Sequence, residues 1–258
     1  MDGFRAALKS RLNGLYARSV YLPATIASLA YRRIGRRLRG VTRGQPTRLA
    51  VCGWRDVFAE KPIRLAHAHR NQGDVNLAEL AVLATAAASV ASGSEIVEIG
   101  TFDGRTTLNL AINSAPHLSV FTLDLPPQVT PQFELAPGER AFVDKPGSGR
   151  YFAEPRPEWA AEAQRITQVY GDSSTFDFSP HDGRAGLVFV DGSHAYEYVV
   201  ADSETARALV APNGTVLWHD YGVWEGVTRA LEELEARCRL GLRHIRGTSL
   251  VVWRNAAT

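Results

Sequence analysis

Two short stretches set acids beside imidazoles: Asp191 and His194 in VDGSHAYE, and His219 with Asp220 in LWHDYG. An imidazole with an unperturbed pKa near ~6.5 can take a proton from a hydroxyl at neutral pH, so His194 is a candidate general base. Two carboxylates, completed by substrate oxygens and water, suit a hard octahedral cation, which makes Asp191 and Asp220 candidate ligands for Mg²⁺. Histidine is a poorer ligand for Mg²⁺. His219 therefore either points to Mn²⁺ or Fe²⁺ or stands outside the ligand set, and Asp220 also reads as the cap of a turn with no metal at all. A third stretch, VEIGTFDGRTT, sets Gly100 and Gly104 with three residues between them, Thr101 and Phe102 filling the turn. That spacing departs from the pyrophosphate fingerprint, and Glu98 and Asp103 surround the turn with negative charge, so a cationic ligand suits it better than a diphosphate. Asp124 follows twenty residues after Gly104. An acid there can accept both hydroxyls of a ribose.

These side chains act together only if the fold gathers them. The pattern predicts a helix over 76–92, a short apolar strand over 95–100, a helix through TTLNLAINSA and a strand over 119–125. A helix near 159–164, the strand RITQVYGD, an apolar run over 185–192 and the helix AYEYVVADSETARALV come next. After APNG, a strand over 215–221, the helix GVTRALEELEARC and a closing hairpin in RHIRGTSLVVWR complete the series. Continuous apolar strands separated by helices predict an α/β fold, a doubly wound and mostly parallel sheet with helices on both faces. Ligands bind such sheets beyond the carboxyl ends of the strands, where the winding reverses, so the residues at 100–104, 124, 171–173, 191–194 and 219–221 are expected to share a crevice. The interval 126–157 holds seven prolines together with Phe133 and Phe142. Connections that long serve as lids or binding loops, and this one, with Tyr151 and Phe152, is assigned to the acceptor pocket. Trp218, Tyr221 and Trp224 are expected to add an aromatic wall, with core packing the other reading for Trp218.

VEIGTFDGRTT, LDL, GDSS, VDGSHAYE and LWHDYG, in this order, resemble the class I S-adenosylmethionine-dependent methyltransferases. The branch resembled is that of small-molecule O-methyltransferases related to catechol methyltransferases and antibiotic-tailoring enzymes. The likeness spans about residues 72–255. It implies a Rossmann-like, seven-stranded sheet with an antiparallel last strand, and S-adenosylmethionine as cofactor. It implies that Glu98, Gly100, Thr101 and Gly104 shape the pocket for the methionine part of the donor, that Asp124 binds the ribose, and that Asp172 and Ser173 flank the adenine. Asp172 also reads as an Asx-turn residue. In metal-dependent relatives the position of Asp191 and an acidic or amide pair at the end of the next strand hold a divalent cation; here the pair is His219 and Asp220, a departure from that pattern, and the position of His194 carries the base that deprotonates the acceptor. The reaction so implied is in-line methyl transfer to a hydroxyl of a small-molecule or glycan acceptor.

The near-neutral total charge conceals two surfaces. Residues 1–50 carry eleven Lys/Arg and one acid, a net +10, while the remainder carries −8. The first part reads as a basic amphipathic helical extension and residues 51–258 as the methyltransferase domain. The extension suits docking on its own protein, a peripheral membrane contact or an acidic partner, and a homo-oligomer is among the expected states. The acidic remainder argues against nucleic acid. Cys52 and Cys238 form neither a metal pattern nor a disulfide framework, and no apolar run approaches the ~18 residues of a membrane span, so a cytoplasmic location is expected. Two rivals stand beside this reading. One is a non-heme iron hydroxylase using His194, His219 and Asp191 on the same scaffold; the other is a non-catalytic donor-fold domain recruited to a membrane or partner by its basic N-terminus.

Overall fold

The computed structural model describes residues 46–68, 75–91, 93–145 and 147–256. The chain divides into two units, Met1–Gly44 and Gln45–Thr258, and the described residues lie in the second. The basic extension expected over 1–50 thus falls, up to residue 45, outside them.

Among the described residues eight strands form one sheet: β1 (Ala50–Cys52), β2 (Glu95–Ile99), β3 (Ser119–Asp124), β4 (Ile166–Tyr170), β5 (Ala185–Val190), β6 (Val210–Trp218), β7 (Arg243–Ile245) and β8 (Val251–Arg254). Their order is β1-β7-β8-β6-β5-β2-β3-β4. Every pairing is parallel except those of β8, which runs antiparallel to β6 and to β7. The doubly wound sheet and the closing hairpin are as the sequence predicts. One strand exceeds the seven expected. β1 is only three residues long, too short to display a period, and exists because the outer edge of β7 offers its backbone, with Ala50 opposite Arg243. β6 also starts earlier and ends earlier than the strand predicted over 215–221, which leaves His219 and Asp220 in the turn beyond it.

The helices are α1 (Leu77–Ala88), α2 (Arg105–Asn113), the single turns α3 (Arg140–Val143), α4 (Arg150–Ala153) and α5 (Ala160–Ala163), then α6 (Tyr196–Leu209) and α7 (Glu225–Cys238). Side chains alternate across the strands, so the central strands feed two cores. Val97, Ile99, Val188, Val190 and Trp218 pack with α6 and α7. Ile96, Leu187, Phe189 and Leu217 pack with α1 and α2 on the opposite face. Winding runs from β2 through β3 to β4 on one side and from β5 to β6 on the other, so it reverses between β2 and β5. Among the described residues no helix is long and apolar enough to cross a membrane.

α1 begins at a capping box that matters for the site. Asn76 Oδ1 accepts from the amides of Ala78 and Glu79, while the Glu79 carboxylate accepts from the Asn76 amide at 2.9 Å.

The entry into β1 is tied down by a phenol. The Tyr221 hydroxyl accepts from the backbone amides of Arg48 (2.9 Å) and Leu49 (3.0 Å) and donates to Glu232. Tyr221 is therefore a structural clamp and not part of an aromatic wall. Tyr221→Phe strands the buried Leu49 amide and is expected to lower unfolding stability by about 1–3 kcal/mol, read by urea denaturation.

Candidate active site

The cavity opens where the winding reverses, and its wall is made from the turns that leave β2, β3, β4, β5 and β6. Gly100, Thr101, Phe102 and Asp103 line it after β2; Asp124 lines it at the end of β3, and Asp172 with Ser173 after β4. Asp191 and His194 enter from the turn after β5, and Asp220 from the turn after β6. Most of the residues picked from the sequence thereby come to one wall, though not all in the roles foreseen. Glu98, Gly104 and His219 stand behind it.

Gly100 has φ +99°, and a Cβ built on it would lie 2.1 Å from the carbonyl oxygen of Asp191. The glycine is required by the close approach of β2 and β5 at their tips, where the Asp191 amide donates to the Ile99 carbonyl at 2.8 Å. Gly104, also left-handed, is the N-cap of α2, and its missing side chain leaves room for the Phe152 ring. Alternation along β2 sends Glu98 to the α2 face, where its carboxylate accepts from the hydroxyls of Thr107 and Thr122. Thr122 in turn shares a 2.7 Å hydrogen bond with Thr101. Both Glu98 and Gly104 thus shape the turn from behind. Burial raises the Glu98 carboxyl to about 8, against the pull of the two hydroxyls.

Asp172 behaves as the Asx-turn reading anticipates. One oxygen accepts from the amide and hydroxyl of Ser174, and the other accepts from the Gln132 amide and the Tyr198 hydroxyl. Burial alone would raise its pKa, but these donors hold it below the ordinary carboxylate value. Asp172 therefore pins the start of the 126–157 interval to the sheet. Asp124 meets the same interval: its Oδ2 lies 2.7 Å from Lys145 Nζ.

Four carboxylates and two imidazoles meet at the β5 and β6 tips. His219 is buried, its Nδ1 2.9 Å from Asp191 Oδ1 and its Nε2 3.2 Å from Glu79 Oε2. Glu79 is held in turn by the amide and hydroxyl of Ser249. Burial would lower the His219 pKa, yet the carboxylates of Asp220, Asp191 and Glu79 raise it well above the usual imidazole value. His194 has Nδ1 on the Glu139 carboxylate and Nε2 2.8 Å from Asp220 Oδ2, and its ring stacks on Trp224 at 4.5 Å and 15°. Against the lowering effect of burial, Asp220 and Glu139 push His194 to about 10. Burial raises Asp191, opposed by His219. Asp220 holds a left-handed backbone, φ +65°, unusual outside glycine and a form of local strain that gathers at functional sites.

Candidate ligand atoms of Asp191, His219 and Asp220 lie within 4.8 Å of one another. The two carboxylates match the donor set a hard cation requires. His219 does not match it, because both of its ring nitrogens already face carboxylates and an imidazolium has no lone pair to give.

Three contributors escaped sequence reasoning. Glu139 and Lys145 come from the proline-rich interval, where no periodicity marks them. Glu79 carried a signal, the capping box of NLAE, that explains its place on the helix but not its contact with His219. Of the aromatic residues assigned to the acceptor pocket, Phe142 lines the cavity, whereas Phe133 packs edge-on against Tyr198 and Tyr151 lies against His67. Trp218 is fully buried in the core with Nε1 donating to Ser203, the packing reading.

Residues 97–221 match the family model of a methyltransferase domain. The fold is similar to that of the calicheamicin methyltransferase CalS11, at 16% identity and a TM-score of 0.55, covering 70% of this chain and 80% of that one. The O-methyltransferase NovP gives 16% identity and a TM-score of 0.53 over 71% and 81% of the two chains. A protein from Corynebacterium glutamicum aligns over 98% of both chains at 12% identity, TM-score 0.51. No match is found among curated proteins. At such identities the likeness is one of fold. The family match adds that residues 97–221, which carry most of the cavity wall, are similar to a methyltransferase domain.

The buried Glu98 carboxyl gives a signed expectation. Between about pH 4.5 and 8 the folded chain keeps a proton that the unfolded chain has lost, so stability falls as pH rises through that window. Glu98→Gln is expected to flatten this slope by up to about 1.4 kcal/mol per pH unit, measured by urea unfolding at several pH values.

Proposed function

We propose that the protein transfers the methyl group of S-adenosylmethionine to a hydroxyl of a small-molecule or sugar acceptor. The observation that supports this most is a single cavity with Gly100, Thr101, Asp124 and Ser173 on one side and Asp191, His194 and Asp220 on the other. On this reading the donor lies across the first side, its ribose on Asp124 and its adenine by Ser173. Asp172 acts there as a turn anchor. Glu98 and Gly104 support the methionine end from behind, and the acidic wall offsets the charge of the sulfonium.

The acceptor oxygen attacks the methyl carbon in line with the breaking C–S bond, whose electron pair stays on sulfur as the thioether. The donor is already activated, so alignment is the main contribution of the protein, worth roughly 7–11 kcal/mol for well-oriented groups. His194 is the base of this scheme, but in a modified form. With Glu139 and Asp220 both on its ring it holds a proton, and it accepts one only when an acceptor hydroxyl takes the place of Asp220 at Nε2. That exchange releases the Nε2 proton to solvent, leaves Asp220 a carboxylate, and sets the freed nitrogen facing the hydroxyl. Glu139 keeps Nδ1 oriented throughout. A divalent cation would be held by Asp191 and Asp220 and would lower the pKa of the hydroxyl; His219 stands behind them and orients Asp191.

The iron hydroxylase reading is less well supported. A two-histidine iron site needs an unprotonated nitrogen from each ring, and here all four ring nitrogens face carboxylates.

Titration calorimetry is expected to detect S-adenosylhomocysteine binding by the full chain, and Asp124→Ala to weaken it by about tenfold or more, the loss of a charged hydrogen-bond acceptor. With labelled donor and a metabolite extract as acceptor source, His194→Asn and Asp191→Ala are expected to lose about 10²-fold or more in methyl transfer while donor affinity stays within a few-fold. Chelation should lower wild-type turnover and added Mg²⁺ restore it; full turnover in chelator removes the cation and leaves methyl transfer standing.

A further inference from the structure

Lys145 belongs to the 126–157 interval, yet its ammonium lies inside the cavity at the tip of β3. Nζ is 2.7 Å from Asp124 Oδ2, donates to the Phe142 carbonyl at 3.0 Å and lies 5.4 Å above the Phe102 ring. Both partners of the ion pair are nearly covered, with side-chain exposures of 13% and 10%. A pair so shielded from water is a strong contact that a ligand must outbid.

Asp124 is the carboxylate assigned to the donor under the proposed function, and the role of Lys145 rests on that reading. A vicinal diol places two O–H donors on one carboxylate and so needs both of its oxygens. One of them is engaged by Lys145. A sulfonium donor also brings its own positive charge into the same acidic cavity, where it repels a resident ammonium.

We propose that Lys145 is an internal occupant of the ribose subsite, a specificity-determining residue that the nucleoside must displace from Asp124 in order to bind. The lysine supplies positive charge beside the carboxylate and covers the Asp124 oxygen that the diol needs, without satisfying it by a hydrogen bond. A nucleoside with the diol offers Asp124 hydrogen bonds in exchange for the ion pair, and one without it has nothing to offer. Lys145 also follows directly on α3 and Asp144, with Glu139 at the N-cap of that same turn and in contact with His194. Release of the lysine therefore loosens the element that grips His194, which couples arrival of the donor to opening of the acceptor side.

The test uses the full chain with S-adenosylhomocysteine and its 2′,3′-dideoxy analogue as probes, titrated by calorimetry into wild type, Lys145→Met and Lys145→Arg. Lys145→Met keeps the aliphatic stem and removes the charge. It is expected to tighten S-adenosylhomocysteine binding by about tenfold, the worth of one charged hydrogen bond, and to change binding of the dideoxy analogue by less than about twofold. Lys145→Arg keeps the cation and is expected to bind both probes like wild type. Equal unfolding temperatures of the apo proteins establish that the variants are folded. Unchanged or weaker S-adenosylhomocysteine binding by Lys145→Met overturns the displacement, as does equal tightening for both probes. If neither wild type nor Lys145→Met binds S-adenosylhomocysteine, the methyl-donor reading itself fails, and the displacement with it.

Discussion

The approach of β2 to β5 at their carboxyl ends governs this molecule. The Asp191 carbonyl reaches within 2.1 Å of where a side chain on Gly100 would begin. No residue with a Cβ tolerates that distance, so the contact and the glycine require each other. Its consequence is geometric: the glycine turn after β2 and the acid after β5 are joined by a backbone hydrogen bond between Ile99 and Asp191. The strand tips cannot drift apart without breaking the sheet at its reversal point. On the proposed function, the alignment of the two reactants is built into the scaffold at this contact.

Around that contact the charges are arranged as alternating pairs. Glu79, His219, Asp191, Asp220, His194 and Glu139 form a line in which each imidazole lies between carboxylates. Such a line costs less to bury than its separate members would, because each imidazole is paired with carboxylates on both ring nitrogens. It also connects distant parts of the chain: α1 and the β7–β8 turn through Glu79 and Ser249, the β5 and β6 turns through Asp191 and Asp220, and the 126–157 interval through Glu139. Disturbance at one end thereby has a route to the imidazole at the other.

The 126–157 interval holds only short helical turns, yet Leu135, Glu139, Phe142, Val143 and Lys145 from it line the cavity. Gln132 anchors it to Asp172, Glu139 to the 193–194 turn and Lys145 to Asp124, so it touches the β4, β5 and β3 tips in turn. Each of these contacts is polar and ends on a residue at or just beyond a strand. That arrangement ties one irregular segment to three strand tips at once.

Much of this was legible in one dimension. Apolar strand runs, helical periods and turn residues are local properties, so the doubly wound sheet, its antiparallel close and the residues at its strand tips followed from the sequence alone. The strand-end rule then placed Gly100, Asp124, Asp191 and Asp220 near a common cavity. Side-chain direction was harder. Glu98 and Gly104 sit beside the right glycine turn, yet the period-2 alternation of β2 turns Glu98 toward α2, and Gly104 makes room for Phe152. Protonation and partnership lay further out of reach. Whether His194 and His219 are bases, ligands or imidazoliums depends on Glu139 and Glu79, which are 55 and 140 residues away in the chain. Sequence determined which residues reach the strand ends, because strand periodicity is local; only the folded chain decided which charges face one another there, because electrostatic partners are chosen by distance in space.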